Sequence, residues 1–298
     1  MNLKKWWVYQ KERFPVFAHG VLILSFSFCA VSYSSHLGGR GWPDYRSVIV
    51  AFVSSFLFFL QLRIADEFKD KDEDAQFRPY RPVPRGLVTL KELGILFVLC
   101  ALIQISLAIY WNYQIIIWLL VAWAYLGGMS FEFGCRYWLK QRPILYLLSH
   151  MLIMPIVDFY ATTIDWVAVS DHPGVQLLPF LIASFFNGIV IEIGRKIRLA
   201  DAEEKGVETY SFLWGYKRAS FIWLAVMALT LLFGIVTLHK ISQTWWVYIP
   251  MILCFLYTAT FVYFQVHKKK VGIAKKFELI SAIWTIVLYC SIGILGNY

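Results

Sequence analysis

Stretches of about twenty apolar residues recur along the whole of this 298-residue chain, and they leave few architectures open. Each has the length of a helix that crosses a hydrocarbon core of about 30 Å. Backbone groups in lipid must be satisfied within their own segment or in a closed barrel, and the alternation of barrel strands is absent, so the stretches read as helices. Nine are read, at 15–35, 46–65, 92–111, 114–133, 143–164, 175–193, 219–238, 244–265 and 277–296. With 59% of the residues hydrophobic, they leave no room for a separate soluble domain, so residues 1–298 form one membrane-embedded domain. The expected class is all-α, a polytopic bundle of nine transmembrane helices.

Charge gives this bundle an orientation. Placing the N-terminus and every second loop on one side leaves only Arg40, Arg46 and Lys240 on the other, so 25 of the 28 Lys and Arg share a side. By the positive-inside rule that side, with the N-terminus, is cytoplasmic and the C-terminus faces out. The net charge of +9 then follows from topogenesis and anionic headgroups, and implies a lipid bilayer rather than nucleic acid as partner. The five cysteines show no CxxC spacing and four fall inside spans, which indicates packing rather than disulfides or zinc. The histidines show no ligand spacing and read as packing or interface residues. The 54 Phe, Tyr and Trp supply interface belts, as at Trp6-Trp7 and Trp245-Trp246, or line a tunnel.

Polarity concentrates in two cytoplasmic loops. After the second span, Asp66-Glu67-Phe68-Lys69-Asp70-Lys71-Asp72-Glu73-Asp74 holds six of the chain's 19 acidic residues. Asp66, Asp70 and Asp74 recur at i, i+4 and i+8, one face of a helix. Carboxylates stacked so closely repel and call for a partner charge. A hard divalent cation fits, since Mg²⁺ takes one or two carboxylates and completes its shell with substrate phosphates. The alternative is a solvated loop in which Lys69 and Lys71 cancel part of the charge. Next come Arg78-Pro79-Tyr80-Arg81-Pro82-Val83-Pro84-Arg85-Gly86, whose prolines impose a rigid, non-helical turn. That turn aims guanidiniums at the acids, a plausible diphosphate site unless these arginines only anchor the loop to headgroups. The second polar loop, after the sixth span, carries Asn187 and Glu192 at the span's end and mixed charges onward from Arg195.

These residues resemble the UbiA superfamily of intramembrane prenyltransferases, whose nine helices carry acid-rich motifs after helices 2 and 6. The first motif, N-D-x-x-D-x-x-x-D followed by R-P-x-x-x-G, is matched by Asp66, Glu67, Asp70 and Asp74 and by Arg81-Pro82-Val83-Pro84-Arg85-Gly86. Gly206, Thr209 and Gly215 match the end of the second, G-x-x-T-x-x-x-x-x-G, and Arg136-Tyr137-Trp138-Leu139-Lys140 resembles the family's basic stretch. The second motif departs from the pattern. Ala202 and Arg198 occupy its two aspartate positions, and the acids move to Asp201, Glu203 and Glu204, with Glu192 further back.

The resemblance implies a Mg²⁺-dependent transfer of an isoprenyl group from an isoprenyl diphosphate to an aromatic or lipid acceptor, at the cytoplasmic mouth. It assigns metal binding to Asp66, Glu67, Asp70 and Asp74 on one side and Glu192 and Asp201 on the other. Of these, Asp66, Asp70 and Asp74 are the catalytic set. It assigns substrate binding to Arg63, Arg81, Lys140, Asn187, Arg195 and Arg198. A dry, aromatic chamber would shield the allylic cation. The rival readings are a terpene cyclase on the same fold, a phosphosugar transferase acting on a polyprenyl phosphate, and a transporter with an acidic cytoplasmic ion site. Asp158, in the fifth span, is read as bonded within a kinked helix rather than as an ion path.

Overall fold

A computed structural model of the chain describes residues 3–172, 174–200, 203, 209–267 and 273–298. Among these, helix is the one regular structure, in fourteen α-helices: α1 (Leu3–Arg13), α2 (Val16–Leu37), α3 (Tyr45–Lys69), α4 (Lys71–Phe77), α5 (Leu90–Trp111), α6 (Ile116–Ser130), α7 (Arg136–Lys140), α8 (Pro143–Met151), α9 (Ile153–Trp166), α10 (Leu178–Arg195), α11 (Tyr210–Trp214), α12 (Tyr216–His239), α13 (Ile249–His267) and α14 (Ile273–Gly293). Nine spans long and apolar enough to cross a membrane lie among the described residues, each within a few residues of its expected place. The protein is an integral, multi-pass membrane protein.

The ends of the spans carry their own stop signals. Asp44 accepts from the Arg46 amide to start α3, and Thr89 and Glu92 form a reciprocal capping box at the start of α5. The fifth span is broken into α8 and α9 next to Pro155, which cannot donate to the helical ladder. Just beyond the break, the buried Asp158 accepts from the Tyr289 hydroxyl at 2.9 Å. It is thus bonded near a kink, as its sequence context suggests.

The spans close into a ring in which α2 meets α14, and α2 also packs on α3 and α9. Ser32 Oγ fastens that closure by donating to Gly293 O at 2.7 Å. Lipid-facing apolar residues such as Ile95, Val98 and Leu102 of α5 are exposed, whereas α10 is clasped between α9, α12 and α14. At the end of α10 the helices approach so closely that a Cβ on Gly194 would lie 2.1 Å from Ser281 Oγ and 2.9 Å from Trp223 Nε1. This contact fixes the polar end of α10 against α12 and α14. On the opposite side of the bundle, Arg40 is held by Asp165 at 2.5 Å and Asp171 at 2.9 Å.

Two features go beyond the sequence reading. An additional helix, α1, precedes the first span and is pinned by Lys5 to Glu92 and by Glu12 to Arg85. The acid patch, placed after the second span, extends that span as helix, as the i, i+4, i+8 spacing of Asp66, Asp70 and Asp74 allows: α3 runs to Lys69, and the i to i−4 ladder continues from Asp70 N to Asp66 O and from Asp74 N to Asp70 O. Gly194→Ala should destabilise the protein by about 1–3 kcal/mol, the usual cost of overpacking. Chemical unfolding in detergent, compared with a Gly20→Ala control where nothing lies within 4 Å, reads that difference.

Candidate active site

The helical run through the acid patch divides its carboxylates into two groups. Glu67 and Asp74 are buried and bound to arginines. Glu67 accepts from Arg13 Nε at 2.5 Å and from Arg63 at 3.0 Å. Asp74 accepts from Arg81 at 2.7 Å and Arg78 at 2.9 Å, with Arg13 3.8 Å away. The rigid proline turn therefore returns its guanidiniums to the motif's last aspartate. Removing a buried ion pair's partner is far costlier than the pair is worth, so this cluster ties α1, α3, α4 and the turn together.

Asp66 and Asp70 form the second group. The Asp66 side chain is 44% exposed and has Arg63 as a neighbour at 3.5 Å. Asp70 ends α3 and pairs with no cation among the described residues. Burial, followed by the charge of Asp66, holds its carboxyl above the usual carboxylate range. Such under-compensated oxygens are what a hard cation requires, and two carboxylates suffice for Mg²⁺ that also binds phosphate. Among the described residues no three His, Cys, Asp or Glu side chains converge as a ready cage, so the fit is to a cation arriving with its anionic ligand.

The remaining residues assigned from sequence occupy distinct places. Lys140 bonds Glu73, whose carboxyl it draws below the usual range, and Arg136 joins that acid at 3.4 Å. Glu192, near the end of α10, is held by Arg195 at 2.6 Å and Lys196 at 2.9 Å. Arg195 lies in the field of Asp66, which brings the two acid regions together. Asn187 is buried more deeply on α10, where its Oδ1 accepts from Thr285 at 3.2 Å. The Arg198 amide donates to Ser211 Oγ at 2.8 Å. Glu203 accepts from Thr209 and Ser211, while the same Thr209 hydroxyl caps α11. Asp201 and Gly206 lie outside the described residues.

The structure adds residues that spacing had left out. Between the acid regions stand Lys69, Tyr146 and His150. Lys69 Nζ donates to the Tyr146 hydroxyl at 2.6 Å and approaches His150 Nε2 at 3.2 Å, and the His150 ring stacks on Tyr146. His150 Nδ1 lies 2.8 Å from Tyr146 O, which assigns its proton there and leaves Nε2 to accept from Lys69. The Tyr146 hydroxyl sits in the field of Glu132, Asp70, Asp66 and Glu192. His150 is therefore part of a polar cluster rather than packing alone. Its tie to Lys69 spans 81 positions of sequence, beyond any local motif. Arg13 was visible only as one of the basic residues before the first span.

Below the mouth lies a run of buried rings in which Phe26 meets Phe59 and Tyr289, and Phe180 meets Tyr289 and Tyr33.

Two results separate the groups of acids. Arg13→Ala removes one charge-assisted hydrogen bond from the buried Glu67, which keeps Arg63, and should cost about 1.5–3 kcal/mol. Arg85→Ala, in an exposed pair with Glu12, should cost under about 1 kcal/mol by the same unfolding assay. Asp70→Asn works in the opposite direction. A raised carboxylate pKa means that the ionised form is disfavoured by the fold, so stability is lost as pH rises through it. The amide removes that cost, and in EDTA at neutral pH the variant should melt above the parent.

Comparisons with known proteins bear on the fold and the family of this bundle. The sequence profile of the UbiA prenyltransferase family matches residues 23–287. No curated protein matches the chain significantly. The fold is that of a UbiA homologue from Aeropyrum pernix K1, with a TM-score of 0.69 at 15% identity over 92% of this chain and 96% of that one. Digeranylgeranylglyceryl phosphate synthase superposes with a TM-score of 0.61 at 14% identity, covering 95% of this chain and 98% of that one. A UbiA homologue from Archaeoglobus fulgidus bound to DMAPP and Mg²⁺ gives 0.53 at 14% identity, covering 92% and 98%. The family match spans most of the nine-helix bundle and both acid regions, and by it the chain belongs to the UbiA prenyltransferase family and is a prenyltransferase.

Proposed function

We propose that the protein transfers an isoprenyl group from an isoprenyl diphosphate to an aromatic or lipid acceptor, as one membrane domain spanning residues 1–298, with its mouth on the cytoplasmic side. The observation that carries this reading is the pair Asp66 and Asp70. They alone of the predicted first-motif ligands have no hydrogen-bonded arginine, and Arg195 lies in the field of Asp66 as Tyr146 lies in the fields of Asp66, Asp70 and Glu192. The excess of Lys and Arg at this end supports the cytoplasmic placement. The A. fulgidus relative with DMAPP and Mg²⁺ supports the donor class and the metal.

Asp66 and Asp70 would hold Mg²⁺ here, which supplies charge stabilisation for the departing diphosphate. Lys69, Lys140, Arg195 and Lys196 surround the mouth with positive charge, placed where the leaving oxygens gain it. The C–O bond to the allylic carbon breaks, diphosphate leaves with the electron pair, and the acceptor's nucleophilic atom bonds to that carbon and loses a proton. The packed rings of Phe26, Phe59, Phe180 and Tyr289 exclude water from the cation, and their faces favour its charge. Glu67, Asp74, Arg63 and Arg81 act as positioning residues that hold the Asp66–Asp70 segment in its helical register. Glu192 orients Arg195 and Lys196 rather than binding a metal by itself.

The test is diphosphate release by purified protein from isoprenyl diphosphates of increasing length, in Mg²⁺ and in EDTA, with a membrane lipid extract as acceptor and product mass recorded. Release should require the metal and fall about a hundredfold or more in Asp70→Ala, the scale on which preorganised charge stabilisation acts. A product lacking the acceptor's mass would point to cyclisation. A folded protein that releases diphosphate from no donor would overturn the assignment.

A further inference from the structure

A cavity opens on one side of α3, with neither Asp66 nor Asp70 in its lining. It encloses about 820 Å³ between α3, α5 and α6, within the range of small-ligand sites. Its wall is apolar, with Phe97, Trp123 and Leu126, and its charged lining is Lys69, Lys71, Asp72, Glu132 and Arg136. Glu132 is the unusual member. It is 1% exposed, and neither carboxylate oxygen receives a hydrogen bond. The nearest cations are Lys69 at 3.5 Å and Arg136 at 3.8 Å. Both have other commitments: Lys69 to Tyr146 and His150, Arg136 to Glu73.

The backbone holds this carboxylate in place at a cost. Glu132 and Phe133 adopt φ of 49° and 53°, a region that residues with a Cβ rarely enter. Strain of this kind persists where the surrounding structure imposes it, and it concentrates at functional sites. A buried carboxylate without hydrogen bonds calls for a donor, and the apolar wall of the cleft calls for a hydrocarbon chain.

The geometry points to this cleft as the binding site of a hydroxyl-bearing amphiphile, an alcohol or phenol with an apolar tail, whose O–H donates to Glu132 and whose tail lies against Phe97 and Trp123. Resting on the transferase reading above, this ligand is the acceptor. Lys69 joins the two sites, since its ammonium lies between Glu132 and Tyr146 and the Asp66–Asp70 side begins beyond that tyrosine.

Gly127 offers a clean test. A Cβ there meets nothing within 4 Å, so Gly127→Leu fills the cleft without disturbing α6. Diazirine-tagged alkylphenol and monoalkylglycerol are photolysed with the full-length protein in detergent, and labelled peptides are identified by mass. Labelling is expected on α5 and α6 around Phe97 and Trp123. It should be lost in Gly127→Leu and fall about tenfold both in Glu132→Gln and for the probes' methyl ethers, the scale of one hydrogen bond to a charged group. Gly127→Leu should leave metal-dependent diphosphate release and the KM for the donor unchanged while raising the KM for the acceptor.

Equal labelling by the methyl ethers, or labelling that survives Gly127→Leu, would overturn the site. A donor KM that rises in Gly127→Leu would give the cleft to the donor's chain instead. Turnover without cleft labelling sinks this inference alone. Labelling in a protein that releases no diphosphate ends the acceptor role together with the transferase reading.

Discussion

The buried ion cluster at Glu67 and Asp74 is the interaction on which the polar end of this protein depends. Two carboxylates withdrawn from water would be prohibitive singly, and here four guanidiniums from three segments surround them. Arg13 comes from the helix before the first span, Arg63 from the second span itself, and Arg78 and Arg81 from the end of α4 and the turn that follows. None of these segments could shift without leaving charge unpaired. The cluster is thus a structural clamp, and it leaves Asp66 and Asp70 as the motif acids without a hydrogen-bonded arginine. The under-compensated charge of Asp66 and Asp70 is held in place by a neighbouring group that is fully compensated.

How much of this was legible in the sequence depends on the range of the interaction involved. The spans were legible because the demand of lipid falls on every residue of a twenty-residue window, and the charge bias of the loops set their alternation. The acid patch and its basic turn were legible as composition. Their division of labour was not, because Asp66, Glu67, Asp70 and Asp74 are equivalent as a pattern and differ only in which partners the tertiary fold brings. Glu67 and Asp74 meet Arg13, 54 and 61 positions away in sequence, through α1, which is too short to span the membrane and was not expected as a helix. Glu132 had no signal at all. Its neighbours are unremarkable, and its significance lies in a backbone conformation and in missing hydrogen bonds.

α3 also explains how one helix can serve two sites. Successive residues of a helix turn by roughly 100°, so Ala65, Phe68 and Asp72 fall within a narrow sector, and Asp66 and Asp70 lie roughly 150° around from it. The first sector lines the cleft and the second carries the open acids. Lys69 falls between them, and its side chain is the one that reaches both Tyr146 and Glu132. A helix used this way is a wall between an apolar compartment and a charged one, with a single cation set through it. Under the function and the acceptor cleft proposed above, an anion with its metal and a neutral amphiphile would approach from separate faces and meet at the end of the wall. That end is where α3 gives way to α4 at Asp70, with Tyr146 and His150 closing the far side. Separate entry matters chemically, because an allylic cation formed before the acceptor arrives would be open to water. On that proposal, a partition ending beside Asp70 would let the acceptor hold its position without crossing the diphosphate's field.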